Sequence, residues 1–177
     1  NAQSNAAIYF LIVDGTAPGV QLDDVLLAGN IIHDLWTTGI FTKAPNYYGG
    51  NPQLWATNVV VDNNVIDKTG SDAIVLNGVS APRIESNAAY DVGINSEGFA
   101  YFAGMWTGTV SKDALFQLNE VARVHRKSTN NFLCDAQAFD TDLGTIGTNI
   151  FQYNYTHDNA GGVLIMMWEN VPKTVIY

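Results

Sequence analysis

The chain has 177 residues, 47% hydrophobic and only 14% charged, which is enough apolar mass to bury a sizeable core as one domain, 1–177. Eight Lys and Arg against seventeen Asp and Glu leave a net charge of −9, which makes a nucleic-acid backbone a poor partner. No apolar run reaches the roughly 18 residues of a membrane-crossing helix, and the single cysteine, Cys134, rules out an internal disulfide.

Taken in chain order, five segments repeat one pattern that ends in asparagine. Asn30, Asn64, Asn87, Asn119 and Asn154 lie 34, 23, 32 and 35 residues apart. Three positions before them stand Leu27, Val61, Ile84, Phe116 and Phe151, all bulky and apolar. Two positions before stand Ala28, Asp62, Glu85, Gln117 and Gln152, polar in all but the first coil. Each segment predicts a short strand running into a turn. A second strand is predicted further on in each coil, at Gly39–Thr42, Ala73–Leu76, Gly104–Thr107, Ala138–Thr141 and Gly162–Ile165. Periods this short, with Asn, Asp and Gly between β-branched and aromatic residues, leave no room for a helix in most coils. They predict a solenoid with at least two strands per coil, stacked in parallel about 4.8 Å apart. Lys173–Tyr177 reads as the opening strand of a further coil. The chain is therefore expected to be truncated at both ends, its open edges capped by missing segments or by another chain.

The stacked asparagine corner and the paired strands resemble the right-handed parallel β-helix of the pectin-lyase-like superfamily, over nearly the whole chain. The resemblance implies an all-β fold, a right-handed parallel β-helix of about five to six coils, with corner asparagines bonded to one another and to backbone.

Stacking the second strands in register predicts which side chains share a face. Ile40, Ile74, Met105, Phe139 and Val163 form one inward row, and Thr42, Leu76, Thr107, Thr141 and Ile165 the next. Phe41, Val75, Trp106, Asp140 and Leu164 form an outward row, and Lys43, Asn77, Gly108, Asp142 and Met166 another. Asp140 and Asp142 then lie about 7 Å apart on one face, beside an exposed Trp106, with Lys43 and Asn77 further along the groove. A carboxylate pair next to an aromatic suits glycoside cleavage: one acid protonates the departing oxygen and the other acts on water or on the sugar. Repulsion between the two raises one pKa and makes the proton donor. The competing reading is a surface pair that closes a turn or holds calcium.

Asp135–Asp142, followed by Gln152–Gly162, is similar to a motif pair of large secreted bacterial β-helix proteins of polysaccharide breakdown. The resemblance implies a secreted or cell-surface location and a polysaccharide or oligosaccharide ligand. By resemblance to inverting polygalacturonases, Asp135 joins Asp140 and Asp142 as a third catalytic aspartate. The Gly-His-Gly and Arg-Ile-Lys segments of those enzymes are absent, which argues against pectin itself.

His157 and Asp158 follow Asn154 as His33 and Asp34 follow Asn30. The repetition favours a structural corner, although His157 is kept as a candidate ligand-binding residue. Three insertions are expected to overhang the groove: Lys43–Leu54 with Tyr47 and Tyr48, Ile94–Ala103 with Glu97, Phe99, Tyr101 and Phe102, and His125–Asn131, where Arg126 is placed to bind a uronate carboxylate. Asn154-Tyr155-Thr156 is a formal glycosylation triplet, but ladder duty excludes a glycan. Three functions follow: a glycoside hydrolase needing no cofactor, a lyase assisted by calcium, or a non-catalytic glycan-binding or spacing segment of a surface protein.

Overall fold

The computed structural model describes residues 5–11, 22–43, 56–94, 102–108, 110–126, 135–142, 144–166 and 173–177. Among them every paired strand is parallel and none of the chain is helical, so the fold is a parallel β-helix. Each full coil carries three strands, which meets the expected minimum of two. The first sheet, here the site sheet, stacks Ala6–Leu11, Thr38–Lys43, Ile74–Asn77, Met105–Gly108, Gln137–Thr141 and Gly162–Met166. A second stacks Val25–Ala28, Val59–Asp62, Arg83–Glu85, Leu115–Gln117, Thr148–Gln152 and Lys173–Ile176, and leads into the asparagines. A third follows them: Ile31–Leu35, Val65–Thr69, Ala88–Val92, Glu120–Val124 and Tyr155–His157. A short pair, Ala56–Thr57 and Val79–Ser80, lies beside these. Lys173–Ile176 does open a further coil, pairing with Thr148–Phe151.

The corners explain why the period is legible. The residue before each ladder asparagine, Gly29, Asn63, Ser86, Leu118 or Tyr153, has a positive φ, and so does the fourth residue after it, Asp34, Lys68, Asp91, Arg123 or Asp158. One left-handed residue suffices to swing the chain from one sheet into the next. The side-chain Oδ1 of Asn64 accepts both the backbone N–H (3.0 Å) and the side-chain Nδ2 (2.8 Å) of Asn30. The same pair of bonds joins Asn64 to Asn87, Asn87 to Asn119, and Asn119 to Asn154. From Asn64 onward each Nδ2 also reaches a carbonyl of the preceding coil, at Leu27, Val61, Ile84 or Phe116. Asn154 is thus engaged inside the ladder.

Inside, Leu27, Val61, Ile84, Phe116 and Phe151 meet Ile32, Ile66, Ala89 and Val121 of the third sheet and Ile40, Ile74, Met105 and Phe139 of the site sheet. The Phe116 and Phe151 rings stack at 4.5 Å, and Phe139 closes on both.

Register holds as read through four coils: Phe41 on Val75, Val75 on Trp106, Trp106 on Asp140. In the last coil it slips by one. Leu164, not Val163, stacks on Phe139, and Ile165 on Asp140. Leu164 packs on the core and Val163 is 60% exposed. The physical reason is the opening of that strand, where Gly162 takes φ +97 and sits opposite Gln137, feeding Leu164 rather than Val163 to the inner row.

The expected insertions at 44–54, 95–101 and 127–131, with Tyr47, Tyr48, Glu97, Phe99 and Tyr101, lie outside the described residues, as does Cys134. Phe102 is no wall of a groove. It is buried in the core against Gly93, where its ring leaves no room for a side chain.

Candidate active site

The strands of the site sheet open on small residues, Gly39, Ala73, Gly104 and Ala138. A Cβ on Gly39 or Gly104 would run into the carbonyl oxygen of Ala73 or Ala138 in the next coil. Ala73 and Ile74 both donate their amides to the Gly104 carbonyl, so the regular ladder is interrupted at this level. The side chains two places before the inward row, at Ala6 and Ala103, thereby join Phe41, Val75 and Trp106 in a second apolar cluster on the outer face.

That cluster corrects the expectation of an exposed tryptophan. Trp106 is 8% exposed, and its indole N–H donates to Asp72 Oδ1 at 2.6 Å. An indole packed among Phe41, Val75 and Ala103 finds its polar partner inside the face instead of offering a free stacking surface.

Asp140 follows Trp106 in the same row and is 5% exposed. No hydrogen bond reaches its Oδ1 among the described residues. Burial, then the charges of Asp142, Asp135 and Asp72, push its carboxyl up to about 9. Asp135 lies half-buried just before the strand. Burial, then Asp142 and Asp72, push it up to about 6 against the opposing pull of Arg126. Its place is set locally: Ala136 has a φ of 60 and donates to the Phe102 carbonyl, and a Cβ on Gly161 of the next coil would collide with the Asp135 carbonyl. Asp142 directly follows the strand. Its N–H donates to the Thr107 carbonyl at 2.9 Å, and its own carbonyl accepts the Thr145 N–H and hydroxyl. Asp142 is thus close enough for its charge to act on both Asp135 and Asp140, and Asp135 close enough to act on Asp140.

Asn77, Gly108 and Asp142 occupy successive coils of the adjoining row. A Cβ on Gly108 would meet Trp106 Cζ3 at 2.8 Å, Asn77 Oδ1 at 3.1 Å and Asp142 Cβ at 3.2 Å. Asn77 is nearly buried, its backbone N–H on the Thr42 hydroxyl at 2.7 Å, with no donor on its Oδ1 among the described residues. Lys43 is exposed at the far end of this row, three coils or about 14 Å from Asp142 by strand spacing. Arg126 is exposed beside Asp135.

His157 is a correction: it lies on the third sheet, over Ala122, not on the face of the aspartates. Its Nδ1 donates to Asp158 Oδ2 at 2.8 Å, as His33 does to Asp34 at 2.7 Å, and Glu120 Oε1 lies 3.5 Å from Nε2. The Asp158 bond holds the imidazolium above its usual range. The left-handed corner at Asp158 places the pair here.

Sequence reading missed Asp72. It is 1% exposed and accepts from Trp106, from the Ala103 N–H at 3.0 Å and from the Ser71 hydroxyl at 2.8 Å. Burial raises its carboxyl, and these bonds pull the other way. The available signal was a carboxylate two positions before Ile74, where neighbouring coils have Thr38 and Ala103. Among the described residues no group of three or more His, Cys, Asp or Glu side chains is arranged to hold a metal ion.

No protein-family profile matches the chain. It is 30% identical to the lacto-N-biosidase of Bifidobacterium longum subsp. longum over 182 residues, covering 89% of this chain and 11% of that protein. The chain thus spans only a small part of that relative's length. The crystal structure of native GH136 lacto-N-biosidase from Eubacterium ramulus superposes on 93% of the chain with a TM-score of 0.57 at 16% identity, using 35% of its own length. The parallel coils are therefore a fold that a carbohydrate-active enzyme also uses.

Proposed function

We propose that this chain carries the active face of a secreted or cell-surface glycoside hydrolase acting on an oligosaccharide or polysaccharide. The supporting observation is the carboxyl cluster, in which Asp140 is raised to about 9, Asp135 is raised to about 6, and Asp142 adjoins both. A general acid works best with a pKa near the operating pH and within reach of substrate. Half-buried Asp135 meets both conditions better than Asp140, which is nearly sealed. Asp135 gives its proton to the glycosidic oxygen as the C–O bond breaks. Asp142, as carboxylate, acts from the other side on water or on the anomeric carbon. Water supplies the new hydroxyl, and its second proton restores the acid. Asp140 stays protonated, so the cluster never holds three adjacent negative charges. Each proton has a carboxyl to carry it, and no bound cation is needed. Exposed Arg126 and Lys43 are the groups we assign to hold sugar, with nearly buried Asn77 lining the same face. Lacto-N-biosidase action, the activity for which both similar proteins are named, is the form of the reaction to try first.

The test incubates the protein with lacto-N-biosyl, neutral and uronic-acid glycans, reading reducing ends and unsaturated-product absorbance together, with and without EDTA. New reducing ends without the chromophore, surviving EDTA, are expected. Asp135→Asn and Asp142→Asn are each expected to lose about 10²-fold or more, and Asp140→Asn, which mimics its protonated form, far less. A deeper loss in Asp140→Asn than in Asp135→Asn would make Asp140 the donor. An unsaturated chromophore lost in EDTA and restored by calcium would make the protein a lyase.

A further inference from the structure

A carboxylate sealed from solvent is costly unless donors surround it. Asp72 is such a group, and proton transfer as described above does not use it. In the coils on either side its place is taken by uncharged Thr38 and Ala103, so the β-helix itself does not require a carboxylate there. Two of its three hydrogen bonds reach into the next coil. The three run to Ser71 beside it and to Ala103 and Trp106 one coil on, and Trp106 is the neighbour in register of Asp140. The Trp106 ring passes so close over Gly108 that any side chain there would strike it, together with Asn77 and Asp142. Residues of three successive coils thus converge on one glycine, and the indole is the largest of them. An indole has several staggered rotamers; the Asp72 oxygen selects the one that lies across Gly108.

We propose that Asp72 is a positioning residue of the site: by accepting the Trp106 indole N–H it fixes the ring across Gly108 and so sets the wall between Asp140 and the Asn77 end of the face. The inference rests on the hydrolase reading for its kinetic consequence, but not for the contact itself. Acidic neighbours facing Asp72 are Asp140 and Asp135, and Asp135 in turn faces Asp142 and Arg126. The role lies in the hydrogen bond, since an uncharged acceptor of the same shape holds the indole equally well.

Three variants test it: Asp72→Ala, Asp72→Asn and Trp106→Phe, each first checked for folding by its thermal transition. Asp72→Ala is expected to shift the Trp106 indole N–H proton resonance upfield and to lower kcat about tenfold or more, while Asp72→Asn restores kcat to within about threefold. Trp106→Phe, which keeps an aromatic ring but removes the donor, is expected to lower kcat to a similar degree. Combining it with Asp72→Ala should add nothing further, as two members of one contact do. Folded Asp72→Ala with unchanged kcat and KM would overturn the proposal, as would additive losses, or an Asp72→Asn variant as impaired as Asp72→Ala. If the wild type cleaves no glycan, the hydrolase reading fails, and the indole resonance alone then judges whether Asp72 holds Trp106.

Discussion

Asp140 carries a linkage that can be measured without any substrate. Its folded pKa of about 9 lies far above the ordinary carboxyl value of about 3.9. In the unfolded chain it releases its proton early, whereas the folded chain keeps it. The contribution to stability is full at low pH and is lost progressively as pH rises from about 4 to about 9. Asp135 acts with the same sign but only up to about 6, and Asp72, also raised by burial, has the same sign. His157, raised by Asp158, adds a decline just above its ordinary range. Asp34 and Asp91, lowered by His33 and Arg123 respectively, act in the opposite sense near pH 4 and are constant above 6. The melting temperature is therefore expected to fall between pH 6 and pH 9, and Asp140→Asn should flatten that slope while leaving the His157 part. Calorimetry of both proteins across the range checks it. Parallel slopes would mean that Asp140 is already ionised in the folded state.

At the scale of the element, the asparagine ladder is directional, and its members are not equivalent. Asn87 accepts both donors of Asn64 and gives its own Nδ2 to Val61 and Asn119. The Asn30 side chain only donates among the described bonds, and its backbone N–H reaches Asn64 whatever its side chain. Asn87→Ala leaves buried donors and a carbonyl unpaired and is expected to cost about 3 kcal/mol, whereas Asn30→Ala should cost about 1 kcal/mol or less. Urea unfolding with unchanged m-values would register the difference as a shift in midpoint. Equal losses would mean that the ladder adds little beyond strand packing. The asparagines were legible in sequence because one amide must both donate and accept at each corner, which fixes residue type and spacing together. The third sheet was not read, because its far corner is made by Asp34, Lys68, Asp91, Arg123 and Asp158 in left-handed conformation. No glycine marks that turn, so the segment after each asparagine looked like connection.

At the scale of the whole molecule, register decides which side chains become a site. A slip of one residue exchanges the inner and outer faces of a strand, and the final coil has made that exchange relative to the simple repeat. Leu164→Asp is accordingly expected to cost about 2 kcal/mol or more, and Val163→Asp within about 0.5 kcal/mol of nothing. Thermal or urea denaturation of the pair reads the register directly. The reverse order would restore the unslipped stacking. The same reasoning accounts for His157. Lying close to the Gly162 strand in sequence, it stands on a different sheet from Asp140, because a coil turns its three strands to three faces.

The sequence by itself determined the architecture: a parallel β-helix with asparagine corners, and the outward placement of Asp140 in register with Trp106, Val75 and Phe41. Local rules suffice for that, since strand alternation and corner chemistry repeat coil after coil and each depends on a few adjacent residues. Only the tertiary structure decided that the outer face is itself packed, that Trp106 is buried against Asp72, and that Asp140 is sealed while Asp135 remains half-open. Those outcomes depend on side chains from successive coils meeting across Gly108. Burial and charge there are sums over residues some thirty positions apart, and no stretch of sequence contains that sum.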